Sequence, residues 1–240
     1  MSCMIKPLAV FLFFLAPLLL DGCATRVGPG GQKEMRFEPR YLAKTEIDRV
    51  IDTDRAEVLA GLHRIAGKLY KRNPREWKKS GQPSREAAMA RLFAGGVDFP
   101  ELEGRQEGAA VLLALSPEYQ GDRVLGVMAG LLGMVYASFE NKDDFYVLDD
   151  LNEQKLYNCA RNVEIAIWKM SSARSATGEF LLLSNELDPA NPNLSFEREF
   201  GKVIGLLDFL SRIVADKNGR TVTRLTQSIA TALFLPVIGL

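Results

Sequence analysis

Histidine occurs once in the 240 residues, at His63, and cysteine three times, at Cys3, Cys23 and Cys159. That scarcity leaves no ligand set for a zinc site of imidazole and thiolate groups. No metal or cofactor is expected. The chain carries no Gly-x-Ser-x-Gly elbow, no phosphate-cradling glycine loop and no dinucleotide fingerprint. Alternating apolar and polar runs, the mark of half-buried strands, are missing as well, and no fixed-period repeat is visible. A fold with few cysteines must rest on its apolar core, and 47% hydrophobic composition suffices for one.

The N-terminus has a character of its own. Lys6 is the one charge among the first residues, and an uncharged apolar run of 14 residues follows, from Pro7 to Leu20. A cationic start and a short apolar core make a secretory signal, too short for the roughly 20 residues of a membrane-spanning helix. Leu20-Asp21-Gly22-Cys23 resembles the lipobox of bacterial lipoproteins. The resemblance covers these first two dozen residues and implies that 1–22 is a lipoprotein signal peptide. It implies too that Cys23 receives diacylglycerol on its thiol and acyl groups such as palmitate on its new amine. Ala24 after the cysteine implies the outer membrane of a Gram-negative envelope rather than the inner. Asp21 stands where the family usually has a small uncharged residue, and ordinary signal cleavage after Ala24 is the alternative.

Residues 23–40, with Gly28, Pro29, Gly30 and Gly31, show no apolar period and are expected to be a flexible tether. From 41 to 240 a single all-α domain of about six or seven helices is expected. Ile47, Val50, Ile51, Val58, Leu62, Ile65 and Leu69 recur at helical spacing until Pro74, with Asp54 where an apolar residue belongs. Shorter helices follow from Ser84 to Ala94 and from Glu107 to Leu115. Asp122–Asn141 holds 16 uncharged residues, Val124 to Phe139, with Gly126, Gly130 and Gly133 on one side. That pattern fits a buried spine whose glycines let neighbours approach, or a face able to enter a membrane. Amphipathic helices over about 152–175 and 195–217 follow, with Phe196, Phe200, Val203, Leu207, Leu210 and Val214 inward. A last helix is expected from 221 to about 235.

Charge is balanced in total and uneven along the chain. Residues 24–91 hold 16 Lys/Arg against 9 Asp/Glu, while 92–240 hold 13 against 20. The densest basic stretch, Lys68, Lys71, Arg72, Arg75, Trp77, Lys78 and Lys79, straddles a helix end. Basic residues there complement the helix dipole. They could also contact anionic headgroups, with Trp77 at the interface. Three other sets have a structural and a functional reading. The acids Asp143, Asp144, Asp149 and Asp150 form a solvated loop or a loose calcium site, and they and Asp48, Asp52 and Asp54 are the carboxylates a paired-carboxylate hydrolase would draw on. Asn158, Arg161, Asn162 and Glu164, beside Trp168, knit helices together or line a cleft. Cys159 packs as a small apolar residue.

These features point to a non-enzymatic, outer-membrane-anchored lipoprotein that is a scaffold, adaptor or accessory subunit of an envelope assembly. The expected contacts are the membrane through the lipid and an envelope protein partner, with no nucleic acid. The alternatives are a helical binder or carrier of a hydrophobic or anionic envelope ligand, and a hydrolase using paired carboxylates.

Overall fold

The computed structural model describes residues 25–27, 33–35, 43–185, 193–224, 229 and 231–237. The fold is all-α: among the described residues it has seven α-helices and one 3-10 turn, Pro100–Leu102. Two compact units divide the chain: residues 1–49 with Tyr146–Leu148, and Val50–Phe145 with Asp149–Leu240.

In the first unit, part of the expected tether pairs with itself. Strand β1, Thr25–Val27, lies antiparallel to β2, Lys33–Met35, with Arg26 opposite Glu34. Three residues a side give no alternation a sequence reader could recognise. Helix α1, Glu46–Arg72, starts here. Its first turn is tied by a reciprocal capping box: Thr45 N–H donates to Asp48 Oδ2 at 2.7 Å, and Asp48 N–H donates to Thr45 Oγ1 at 3.2 Å. Val147 N–H donates to Ala43 O at 3.0 Å, and Lys44 Nζ sits 4.8 Å from the Tyr146 ring centre.

In the second unit α1 stops where Pro74 withdraws an N–H, and Pro74 itself opens a short helix α2, Pro74–Lys79. Helix α3, Arg85–Leu92, is capped by Ser84, whose Oγ accepts from Ala87 N. Helices α4, Glu107–Ala114, and α5, Arg123–Ser138, pack face to face. All of α5 except Tyr136 is buried. Its glycines are the reason the fit is so close. A Cβ on Gly126 would lie 2.6 Å from Ala114 Cβ, and one on Gly130 would lie 2.5 Å from Glu107 O. The uncharged helix is the buried spine, with α4 filling the glycine face. Among the described residues no helix is long and apolar enough to cross a membrane.

Helix α6, Glu153–Ser172, begins at Asn152, whose Oδ1 accepts from Gln154 N and Lys155 N. Helix α7, Ser195–Asn218, ends at Gly219 in the left-handed conformation. The six apolar residues expected inward on α7 are all buried. Helix α7 runs antiparallel to the part of α1 it meets: Lys68 reaches Ser195 O, Arg64 reaches Glu199, and a Cβ on Gly61 would touch Val203.

The expected helix over 221–235 does not form in its described residues. They are irregular, with turns at 229 and 231, and two side-chain amides, of Gln154 and Asn162, hold them; a third, of Asn73, holds Leu183 in the same way. Asn73 Nδ2 donates to Leu183 O at 2.9 Å while its Oδ1 accepts from Leu183 N at 2.8 Å. Gln154 does the same to Thr223, at 3.0 and 2.8 Å. Asn162 does it to Leu235, at 2.8 and 2.6 Å. Each amide satisfies both backbone groups of one residue, as a neighbouring strand would.

Candidate functional site

The basic stretch is divided between α1 and α2, and its charges have separate surroundings. Lys68 Nζ donates to Ser195 O at 3.1 Å and lies 3.9 Å from Glu199. Lys79 Nζ pairs with Glu76 at 2.7 Å. Lys71, Arg75 and Lys78 project into solvent, and Arg72 is half-buried. The half-buried Trp77 ring carries the Lys78 ammonium 5.3 Å from its centre. Three exposed cations and the half-buried Trp77 ring therefore share one helix junction.

Beneath them lies a polar knot that sequence reasoning missed. Asp122 caps α5 by accepting from Leu125 N at 2.9 Å, and also accepts from Tyr70 Oη at 3.0 Å and Ser80 Oγ at 3.3 Å. Burial, foremost, holds its carboxyl above the usual range despite those donors. Burial and the Asp122 charge likewise push the Tyr70 phenol far up. Glu76 Oε2 accepts from Arg123 N at 2.8 Å. The Arg123 guanidinium donates to four carbonyls, of Ala114, Ser116, Pro117 and Tyr119, closing the turn between α4 and α5. These bonds fasten α1, α2, α4 and α5 to one another, and the buried Tyr119 hydroxyl beside them has no hydrogen-bond partner among the described residues. Glu76 was legible only as one acid among many cations.

The acidic sets are largely structural too. Asp52 accepts from Phe145 N at 3.0 Å, Asp143 pairs with Arg55 at 2.7 Å, and Lys142 pairs with Asp149 at 2.5 Å. Among the described residues no three His, Cys, Asp or Glu side chains converge as a metal would require. Asp54 differs. It is 7% exposed, its Oδ2 is buried without a hydrogen bond, and burial raises its pKa to about 7. Cys159 is fully enclosed, and burial pushes its thiol up to about 12, far from a nucleophile's range. The His63 ring meets that of Phe93 at a tilt of 51°, ring centres 4.7 Å apart.

The polar set on α6 is divided between two tasks. Asn162 clamps Leu235 and Asn158 Nδ2 donates to Pro236 O at 2.8 Å, so the asparagines bind a non-helical segment rather than another helix. Arg161 instead lines a cleft of about 170 Å³ between α6, α7 and Val222–Arg224. Its guanidinium pairs with Asp208 at 2.5 Å and Glu164 at 2.9 Å, and lies 5.2 Å from the Tyr157 ring centre. Arg212 and Arg224 complete the wall. Neither arginine stood out in the sequence, because 12 residues and a change of structure separate them.

Cys23 lies outside the described residues. No protein-family model, no curated protein and no solved structure matches the chain.

Proposed function

We propose that the chain is a lipid-anchored adaptor or accessory subunit of a Gram-negative envelope assembly, non-enzymatic, with Cys23 bearing the lipid and the outer membrane as its site. The observation that carries this is the tetrad Leu20-Asp21-Gly22-Cys23 at the end of a 14-residue uncharged run. Acyl chains at one cysteine hold a protein at a bilayer without a spanning helix, each buried methylene contributing about 0.8 kcal/mol. Two features of the folded part support a role in contact rather than chemistry. Tyr70, Glu76 and Asp122 are bound into the knot, and Cys159 is enclosed. The cations Lys71, Arg75 and Lys78 remain exposed beside Trp77 for a partner or an anionic headgroup. The version in which the protein carries a hydrophobic ligand beneath the glycine-bearing helix loses its room, since α4 occupies that face.

The test is metabolic labelling with an alkyne fatty acid together with membrane fractionation, on wild type and Cys23→Ala. Label and membrane recovery in wild type alone are expected. Label that persists undiminished in Cys23→Ala removes the anchoring reading.

A further inference from the structure

We infer that the cleft between α6 and α7 binds a phosphate monoester group, held by Arg212 and Arg224. Whether the chain is anchored has no bearing on this chemistry.

Arg161 forms the floor and is already neutralised by two carboxylates, Asp208 and Glu164. Its Nε–H is nonetheless buried without an acceptor. Arg212 and Arg224 are different: both are exposed on the wall of the same cleft, and neither has a hydrogen-bond or ion-pair partner among the described residues. Elsewhere in the protein, arginines facing a cleft or turn are occupied, as Arg123 is by four carbonyls and Arg91 is by both oxygens of Glu101. Three guanidinium groups against the carboxylates of Asp208 and Glu164 leave the cleft with an excess of positive charge, which calls for an anion. The planar forks of Arg212 and Arg224 each match a pair of oxygens. A phosphate monoester offers three terminal oxygens to the two forks, whereas a carboxylate or a phosphodiester offers two.

Size and rigidity agree. About 170 Å³ is below the ~300–1,000 Å³ of pockets that enclose a drug-sized molecule, so the cleft takes one small group and leaves the rest of the ligand outside. Arg224 follows directly after Thr223, whose N–H and C=O are both gripped by Gln154 of α6. The arginine therefore stands on backbone fixed to the same helix that carries Tyr157 and Arg161. Arg212 stands on α7. Ser211 Oγ is turned to Asp208 O at 2.8 Å, which leaves the Tyr157 hydroxyl as the neutral donor on the wall.

Free phosphate, a small phosphorylated metabolite and the headgroup of phosphatidic acid carry the same terminal group, and the experiment separates the soluble form from the lipid. The full chain is purified in detergent, and binding of inorganic phosphate is followed by phosphorus NMR and calorimetry, with acetate as the monoanion control. Mixed micelles containing phosphatidic acid or phosphatidylglycerol provide the lipid arm. Saturable phosphate binding is expected, with about tenfold loss for each of Arg212→Gln and Arg224→Gln. Both variants should melt like wild type, since neither arginine has a partner to lose. Arg198→Gln, an exposed arginine about four turns from Arg212 on α7, should leave binding unchanged. Binding to phosphatidic acid alone assigns the group to a lipid headgroup. Absence of binding to both phosphate and phosphatidic acid overturns the inference. So does acetate binding equal to phosphate, or phosphate binding indifferent to both substitutions.

Discussion

Asn162 holds Leu235 by both backbone groups, donating from Nδ2 to the carbonyl at 2.8 Å and accepting from the amide at 2.6 Å. Asn162 is buried and Leu235 is half-buried. Asn162→Leu keeps the volume and removes the donor and the acceptor. It should cost about 1–3 kcal/mol, the desolvation of two unpaired backbone groups. It should also release the segment locally before the domain unfolds. Hydrogen exchange is the measurement: the Leu235 amide should lose protection, with the α5 amides unchanged. An unaltered Leu235 amide would show that the segment is held by Phe234 packing on Gly108 instead.

Asp54 makes the stability of the protein depend on pH in an unusual direction. Its carboxyl is raised by burial from 3.8 to about 7. The unfolded chain releases this proton near pH 4 and the folded chain near pH 7, so between those values the folded state holds more proton. Its contribution therefore favours folding at the acidic end and is lost as pH rises, by at most on the order of 4 kcal/mol. Asp54→Asn cannot ionise and should flatten this slope, with the variant more stable than wild type above about pH 7. Urea melts at about pH 5 and about pH 8 decide it; equal pH dependence in both proteins would refute the assignment.

Two glycines make opposite forecasts for the same change. Gly130→Ala places a methyl 2.5 Å from Glu107 O, against backbone that cannot step aside. A loss of about 1–3 kcal/mol is expected from overpacking. Gly205 lies mid-helix in α7 with nothing within 4 Å of a built Cβ. Gly205→Ala should stabilise by about 0.5–1 kcal/mol through helix propensity alone. Thermal melts of the two variants side by side check both, and a matching sign would count against the close α4–α5 contact.

The helices were legible because their evidence is local. Phe196, Phe200, Val203, Leu207, Leu210 and Val214 announce α7 by spacing, Ser84 announces α3 by its hydroxyl, and Gly219 announces where α7 stops. Asp54 stood out as a polar interruption, and its missing partner gives that interruption a physical meaning. The misreading at 221–235 has an equally specific cause. Thr221, Thr223 and Thr226 are weak helix formers, and what fixes Thr223 and Leu235 is supplied by Gln154 and Asn162, about seventy residues earlier. No window of sequence contains both sides of that contact. The same applies to the cleft: Arg161, Arg212 and Arg224 acquire a common neighbourhood only through the pairing of α6 with α7. The signal that could have pointed there was the polar density of α6 around Arg161.

The bond between Arg64 and Glu199 spans 135 residues, and that between Lys68 and Ser195 spans 127. The α4–α5 pair closes over a turn of a few residues, gripped at once by Arg123. Chain closure grows costlier with separation, and local pairs form ahead of distant ones. Assembly is therefore expected to run from the middle outward, with the glycine spine and α4 as the early nucleus and the first and last long helices meeting late. Damage to the nucleus slows folding, whereas damage at the Arg64–Glu199 bond appears as faster unfolding.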